Sequence, residues 1–323
     1  MNKNNKIYAF ILLCLLLYKP LFSISLGGIT SKISHMFSRQ SEEIIHKQFP
    51  LDKNTTLSIE NIQGNINIKT EWKQNYIILK ATKQISNKEN PKNIEIKIYK
   101  KPSKNLILVK TEYKNSKKIG SVDYELIVPS NITVHLQTKN GSIQAKRVKG
   151  KIKAITQNGN ITIAESKGPI TAKTSQGNIE IEYPQSNIKA KTSYGNINIQ
   201  ESCKGIIAHT DSGNIKVACK KIPSISQLSL SVKKGNININ LPLSTNADIQ
   251  AKTKKGKLTS DFPITLKPQV VKLNKETWTK FKKEVDGYMG SGEATIKLNS
   301  NYGNIKISKT IIPKNHKKSV MRG

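Results

Sequence analysis

Between Asn140 and Ala218 the chain repeats itself every eighteen residues. Gly141, Gly159, Gly177, Gly195 and Gly213 mark the period, and the last four open the phrases Gly-Asn-Ile-Thr-Ile, Gly-Asn-Ile-Glu-Ile, Gly-Asn-Ile-Asn-Ile and Gly-Asn-Ile-Lys-Val. A fixed period of this size means that each unit buries its apolar face only against its neighbours, which restricts the chain to a solenoid. Two residues past each glycine stands Ile143, Ile161, Ile179, Ile197 or Ile215, and four past it Ala145, Ile163, Ile181, Ile199 or Val217, with polar residues between. That alternation reads as a strand with one buried and one wet face. Ile152, Ile170, Ile188 and Ile206 alternate in the same way with Ala154, Ala172, Ala190 and Ala208, giving a second strand per coil. The expected fold is all-β, a single-chain parallel β-solenoid (β-helix) of about 18 residues per coil.

Two polar columns accompany the strands. Thr138, Thr156, Thr174, Thr192 and Thr210 precede their glycines by three residues, and Asn160, Asn178, Asn196 and Asn214 follow by one. Stacked coils turn such columns into ladders, whose hydroxyls and amides can bond to the copies above and below. The glycines supply the positive φ of a tight turn. Recurrence in nearly every coil marks these columns as structure rather than as a metal or sugar site.

The pattern continues with stretched spacing at Gly235 and, more weakly, at Gly256, and Gly303-Asn-Ile-Lys-Ile opens a final coil. Between them Trp278, Phe281 and Val285 fall at helical spacing with Gly287 as a stop, so a short capping helix is expected near 274–286. Phe49 to Ser130 is β-rich but aperiodic, with one stray coil at Gly64-Asn-Ile-Asn-Ile. The expected organisation is a signal peptide at 1–25, a linker or short amphipathic helix at 26–48, an N-terminal β cap at 49–130, the solenoid at 131–310 and a basic tail at 311–323. The signal peptide rests on a lysine-bearing start, an apolar run from Ile7 to Tyr18 and small residues at Ser23-Ile24-Ser25. The apolar run is shorter than the roughly 20 residues a spanning helix needs, so no transmembrane span is expected after cleavage, and the chain is read as exported to the periplasm, cell surface or medium.

The net charge is +33, yet arginine occurs only at Arg39, Arg147 and Arg322. Arginine is the usual reader of phosphate forks and base edges, so its scarcity argues against specific nucleic-acid binding. Lysine at this density draws a chain to anionic polymers in a salt-dependent way. Lys153, Lys173, Lys189 and Lys191 fall at outward positions of the second strand and form the candidate anion-binding face. Cys203 and Cys219 lie in adjacent repeats two positions out of phase, a diagonal of about 8 Å. A disulfide and two separate half-buried side chains both stand as readings of that pair.

Catalytic signatures are absent from the pattern. Glu165 and Glu201 share one coil position but lie two coils apart, about 9.6 Å, just beyond an inverting carboxylate pair. His35, His46, His135, His209 and His316 show no ligand spacing, and the glycine loops lack the aspartates of calcium-binding rolls. No metal, cofactor or catalytic residue is expected.

The strand Val122-Asp-Tyr-Glu-Leu-Ile-Val-Pro129, the Thr-x-x-Gly-Asn-Ile repeats and Gly290-Ser-Gly292-Glu-Ala-Thr-Ile-Lys-Leu together resemble the bacterial putative-adhesin family of β-strand repeats, over Phe49 to Ser308. The resemblance implies a β-solenoid in or beyond the cell envelope and carries no established site to transfer. The expected function is non-catalytic adhesion or scaffold-like binding through a lysine-rich β face. Its partner would be an anionic envelope polymer, a glycan, a host surface or another protein. A carbohydrate-active β-helix enzyme and an envelope-stress component acting by protein docking are the alternatives.

Overall fold

The computed structural model describes residues 40–51, 55–71, 75–86, 91–114, 120–268 and 283–310. The expected signal peptide, the basic tail, His35, His316, Trp278 and Phe281 lie outside these residues. The described chain from Ser41 onward is one compact unit. It is a parallel β-solenoid of two stacked sheets, of 12 and 13 strands among the described residues. Each regular coil lays one short strand in the first sheet, such as Ile161–Ala164, and one in the second, such as Ile170–Lys173. Neighbouring coils pair in parallel and in phase: Ile161 opposite Ile179, and Ile170 opposite Ile188. The inward isoleucines of both strands are buried to within a few per cent. At about 2 kcal/mol for each such side chain, this unbroken column is what holds the coils together.

The glycine corner is built from backbone contacts. Gly159, Gly177, Gly195 and Gly213 have φ between +145° and +151°. A Cβ at Gly177 would stand 2.1 Å from the carbonyl oxygen of Gly159, and the same clash recurs in the coils on either side. Stacking the coils at strand spacing therefore excludes any side chain here. The asparagine beside each glycine extends the ladder: the backbone N–H of Asn178, Asn196 and Asn214 donates to the side-chain oxygen of the asparagine one coil earlier, each at 2.8 Å.

The threonines behave differently from a self-bonding ladder. Each hydroxyl donates to the carbonyl of the preceding coil's glycine, as Thr174 to Gly159 and Thr192 to Gly177, both at 3.0 Å. The hydroxyl thus satisfies a buried carbonyl at the turn, where an unpaired one would be costly. In the coil at Gly64 that column position is Asn61, whose amide donates to Val122 O at 2.7 Å. At Val232 the column has no hydroxyl to offer Gly213.

Both ends of the stack are interleaved. The coil Thr56–Glu60 and Ile66–Glu71 sits between Leu106–Tyr113/Gly120–Pro129 and the regular coils. Likewise Ala294–Tyr302 and Ile305–Lys309, last in sequence, lie inside the stack between Gln227–Lys234/Ile237–Leu241 and Ala247–Lys255/Leu258–Ser260. The coil expected to close the domain is therefore internal and paired on both sides. Antiparallel strands cover the ends instead: Tyr76–Ser86 on Gly120–Pro129, Ile94–Lys101 on Leu106–Tyr113, and Glu284–Met289 on Ala247–Lys255.

Two expectations are corrected. Residues 40–48 belong to a strand, Gln40–Pro50, beside Tyr76–Ser86. Its adjacent Ile44 and Ile45 suit either helical or extended chain, and pairing with a sheet edge decides for the latter. Near the C-terminal end, 269–282 lie outside the described residues, but Glu284–Met289 is a strand rather than the end of a helix. Gly287 does not stop a helix there; it pairs with Ile249, and a Cβ on it would meet Thr265 O at 2.4 Å. Among the described residues there is no α-helix, only two 3-10 turns at Pro91–Asn93 and Pro102–Lys104.

Candidate functional site: the lysine face of the second sheet

The outward positions of the second sheet are set by the pleat, because the inward ones are filled by the aliphatic core and the buried threonine column. In register across the sheet run His135, Lys153, Thr171, Lys189 and Ile207, and beside them Gln137, Ile155, Lys173, Lys191 and His209. The sequence-derived face of Lys153, Lys173, Lys189 and Lys191 thus comes together as two adjacent rows, and all four side chains are exposed. Lys139 and Lys151 extend it on the same strands' flanks. Over the four coils from Thr133 to Ser193 no carboxylate interrupts this surface. Glu60 bounds it on one side and Asp211 on the other.

The opposite sheet differs over the same coils. Its outward residues are Gln144, Thr162, Glu180 and Asn198, followed in the next row by Lys146, Ala164, Glu182 and Gln200. Positive charge is therefore segregated to one face, although lysine is common throughout the chain. His135 registers it: its imidazole is held below the ordinary value by partial burial first, then by Lys153 and Lys151. Lys173 and Lys191 are cross-strand neighbours, and like charges about one strand spacing apart repel; a polyanion laid along the sheet would relieve that repulsion.

The remaining chemical groups are tied to structural partners. Glu165 and Glu201 sit at the second corner with left-handed backbone, φ 54° and 88°. Glu165 pairs with Lys146 and Arg147 at 3.1 and 2.8 Å, and these bonds lower its pKa. Glu201 pairs with Lys220. Each carboxylate thus has its own cation. His209 meets Asp211 at 3.3 Å, and Asp211 also binds Lys233, whose hydrogen bond is the main cause of its lowered pKa. Tyr183 and Tyr194, both exposed, occupy opposite corners and do not line one groove. No cluster of three or more metal-ligating side chains occurs among the described residues.

Cys203 and Cys219 are joined as a disulfide with their Cα atoms 5.6 Å apart. The diagonal of about 8 Å presumed a regular register, and the register shifts between Glu201 and Ser202. That shift turns Cys203 into the inward corner position held by Val148, Ser166 and Pro184 in earlier coils, where both cysteines are buried.

Sequence reading missed one cluster entirely. Lys267 lies between Asp248 and Asp286, at 2.8 and 2.9 Å, with its ammonium 5.0 Å from the Tyr288 ring centroid. The hydrogen bond to Asp248, followed by that to Asp286, raises the lysine pKa. It fastens the short strand Thr265–Leu266 to the sheet end. The residues come from three segments outside the regular repeat, so no spacing announces them.

A two-sheet parallel solenoid with a hydrogen-bonded glycine corner defines a β-solenoid repeat protein. Residues 54–308 match the Toastrack DUF4097 family, and the chain belongs to that family, a domain family of unknown function. Among solved structures, the chain is similar to a putative adhesin from Bacteroides fragilis, at 12% identity and TM-score 0.42, covering 84% of this chain and 98% of that one. It is similar also to a putative cell adhesion protein from Clostridium sporogenes, at 14% identity and TM-score 0.24, covering 84% and 100% of the two chains. A putative adhesin from Parabacteroides distasonis shares 10% identity at TM-score 0.29, covering 83% and 97%. No curated protein matches the chain.

Proposed function

We propose that this chain is an exported, non-catalytic surface protein that holds an extended anionic polymer, of the uronic-acid or phosphate-bearing kind, along the lysine face of its second sheet. The observation that carries this reading is the uninterrupted basic surface from Lys139 to Lys191, set against a mixed surface on the other sheet. Composition alone would spread lysine over both. The lysines are spread over several coils along the sheet, which suits an extended polyanion better than a compact ligand. The lysine-bearing start and apolar N-terminal run support export, and no helix among the described residues is long and apolar enough to cross a membrane.

The test is retention on an immobilised acidic polysaccharide across a salt gradient. The native chain should elute late and move earlier as salt screens the contacts. A variant with Lys153, Lys173, Lys189 and Lys191 changed to glutamine should elute at much lower salt while melting at the same temperature. Equal elution of the two would refute the assignment of the face.

A further inference from the structure

The solenoid's second corner, where the first sheet hands over to the second, changes character after Cys203. In the regular coils nine positions separate the first inward isoleucine of one sheet from that of the next, as Ile197 to Ile206; from Ile215 to Leu228 there are thirteen. The added residues form a turn, Pro223-Ser-Ile225-Ser226, closed by the Ser226 N–H donating to Pro223 O at 2.9 Å. The next connection through this corner carries a second turn, Pro242-Leu243-Ser-Thr245. The Thr245 N–H and hydroxyl both donate to Pro242 O there, at 3.1 and 2.6 Å.

Both turns put an aliphatic side chain at the tip, where polar residues ordinarily sit. Ile225 is 93% exposed and Leu243 72% exposed, the two highest values for large apolar side chains among the described residues. Each proline-started turn is locked by its own hydrogen bonds, so the tips are held outward rather than free to fold back. Ile207, also exposed, continues the apolar surface into an open groove of about 520 Å³ that Ile225 borders. Lys151, Lys189 and Lys204 line this groove together with Thr171, Asn187 and Gln227, and no acidic residue does. Exposed Lys221 precedes the first turn. The buried Cys203–Cys219 disulfide anchors the adjoining chain, one residue before Lys204 and two before Lys221.

Rigid aliphatic tips, the first of them with Lys204 and Lys221 close by, are poorly suited to water and well suited to a lipid headgroup boundary. The aliphatic groups gain by entering the acyl region while the ammonium groups stay at the phosphates. A soluble polyanion would use the lysines but would leave Ile225 and Leu243 unrewarded. We propose that this corner is a lipid-docking edge, inserting Ile225 and Leu243 into an anionic bilayer surface with Lys204, Lys221 and the groove lysines against its phosphates. It shares Lys151 and Lys189 with the polymer-binding face, but Ile225, Leu243, Lys204 and Lys221 lie outside that face, so their variants test the docking edge alone.

The experiment is co-sedimentation of the full chain with phosphatidylcholine vesicles made with and without phosphatidylglycerol, beside the variants I225S/L243S and K204Q/K221Q. All carry the same N-terminal apolar run, so differences between them report the corner. The native chain should bind the anionic vesicles in preference to the neutral ones. Both variants should bind about tenfold more weakly while keeping the native melting temperature. Equal binding by I225S/L243S and the native chain would overturn the proposal, as would failure to bind anionic vesicles at all. If binding is lost in K204Q/K221Q but not in I225S/L243S, and dextran sulfate competes it away, the corner is a polyanion contact and the lipid assignment falls. Loss of binding in the four-lysine face variant alone would bear on the polymer face and contradict the docking edge.

Discussion

The two corners of each coil solve the same geometric problem, turning the chain between sheets, by opposite means. At the glycine corner the carbonyl of one coil occupies the space a Cβ would need in the next, a threonine hydroxyl meets that carbonyl, and an asparagine oxygen receives the following N–H. Every element depends on the coil before it, so the glycine itself admits no side chain. At the other corner Arg147, Glu165, Tyr183 and Glu201 all adopt positive φ without being glycine, and the chain there carries charges, a disulfide and two inserted turns. The strain of these left-handed residues, of order 1 kcal/mol or more each, is borne in return for freedom of side chain. Structure is concentrated at one corner, and variety is left to the other and to the outward face between them.

That contrast can be broken most severely at the glycines. Gly177→Ala places a Cβ 2.1 Å from Gly159 O at φ +147°, and should cost about 4 kcal/mol or more, read as a collapse of the thermal transition. Changing Tyr183 to alanine at the opposite corner should move the melt little. Next is the disulfide: reducing Cys203–Cys219, which closes a separation of 16 residues, should lower stability by about 3 kcal/mol in denaturant titrations with and without reductant.

The threonine column offers a finer test in both directions. Thr192→Val leaves the Gly177 carbonyl without its hydroxyl and should cost about 1–2 kcal/mol. Val232→Thr supplies Gly213 with the missing donor and should stabilise by about 0.5–1 kcal/mol. If the two substitutions shift the denaturant midpoint in the same direction, the hydroxyl-to-carbonyl account is wrong. The smallest effect concerns pH. Lys110 and Lys97 hold the half-buried Glu112 carboxyl down to about 2 from 4.5. Its folded pKa being depressed, its contribution is complete above pH 4.5 and lost as pH falls towards 2. Glu112→Gln should flatten a slight acid-side decline and leave neutral pH nearly unchanged.

What the sequence made legible follows the same division. The glycine corner was readable because its constraints are local and repeated: Gly, Asn and Thr recur in fixed positions as their geometry demands. The direction of the threonine bonds was not, since a buried hydroxyl column fits either a self-bonding ladder or a carbonyl partner. The interleaved ends were hidden because Gly64, Gly235 and Gly303 open the same phrase, and a shared phrase gives phase but no stacking order. The disulfide stood as one of two readings because one register shift after Glu201 escapes a count of residues. The lysines of the second sheet could be placed on one side of a strand from alternation alone. Their segregation became visible only when the opposite sheet proved to carry Glu180 and Glu182 in the corresponding coils.

The most direct test of this separation between scaffold and binding surface is to measure, in the same two variants, thermal melting and retention on an acidic polysaccharide. The account predicts that Gly177→Ala destroys the melt, whereas the variant with Lys153, Lys173, Lys189 and Lys191 changed to glutamine melts as the native chain does and loses its salt-dependent retention. A lysine variant that melts normally and still elutes with the native protein would contradict it.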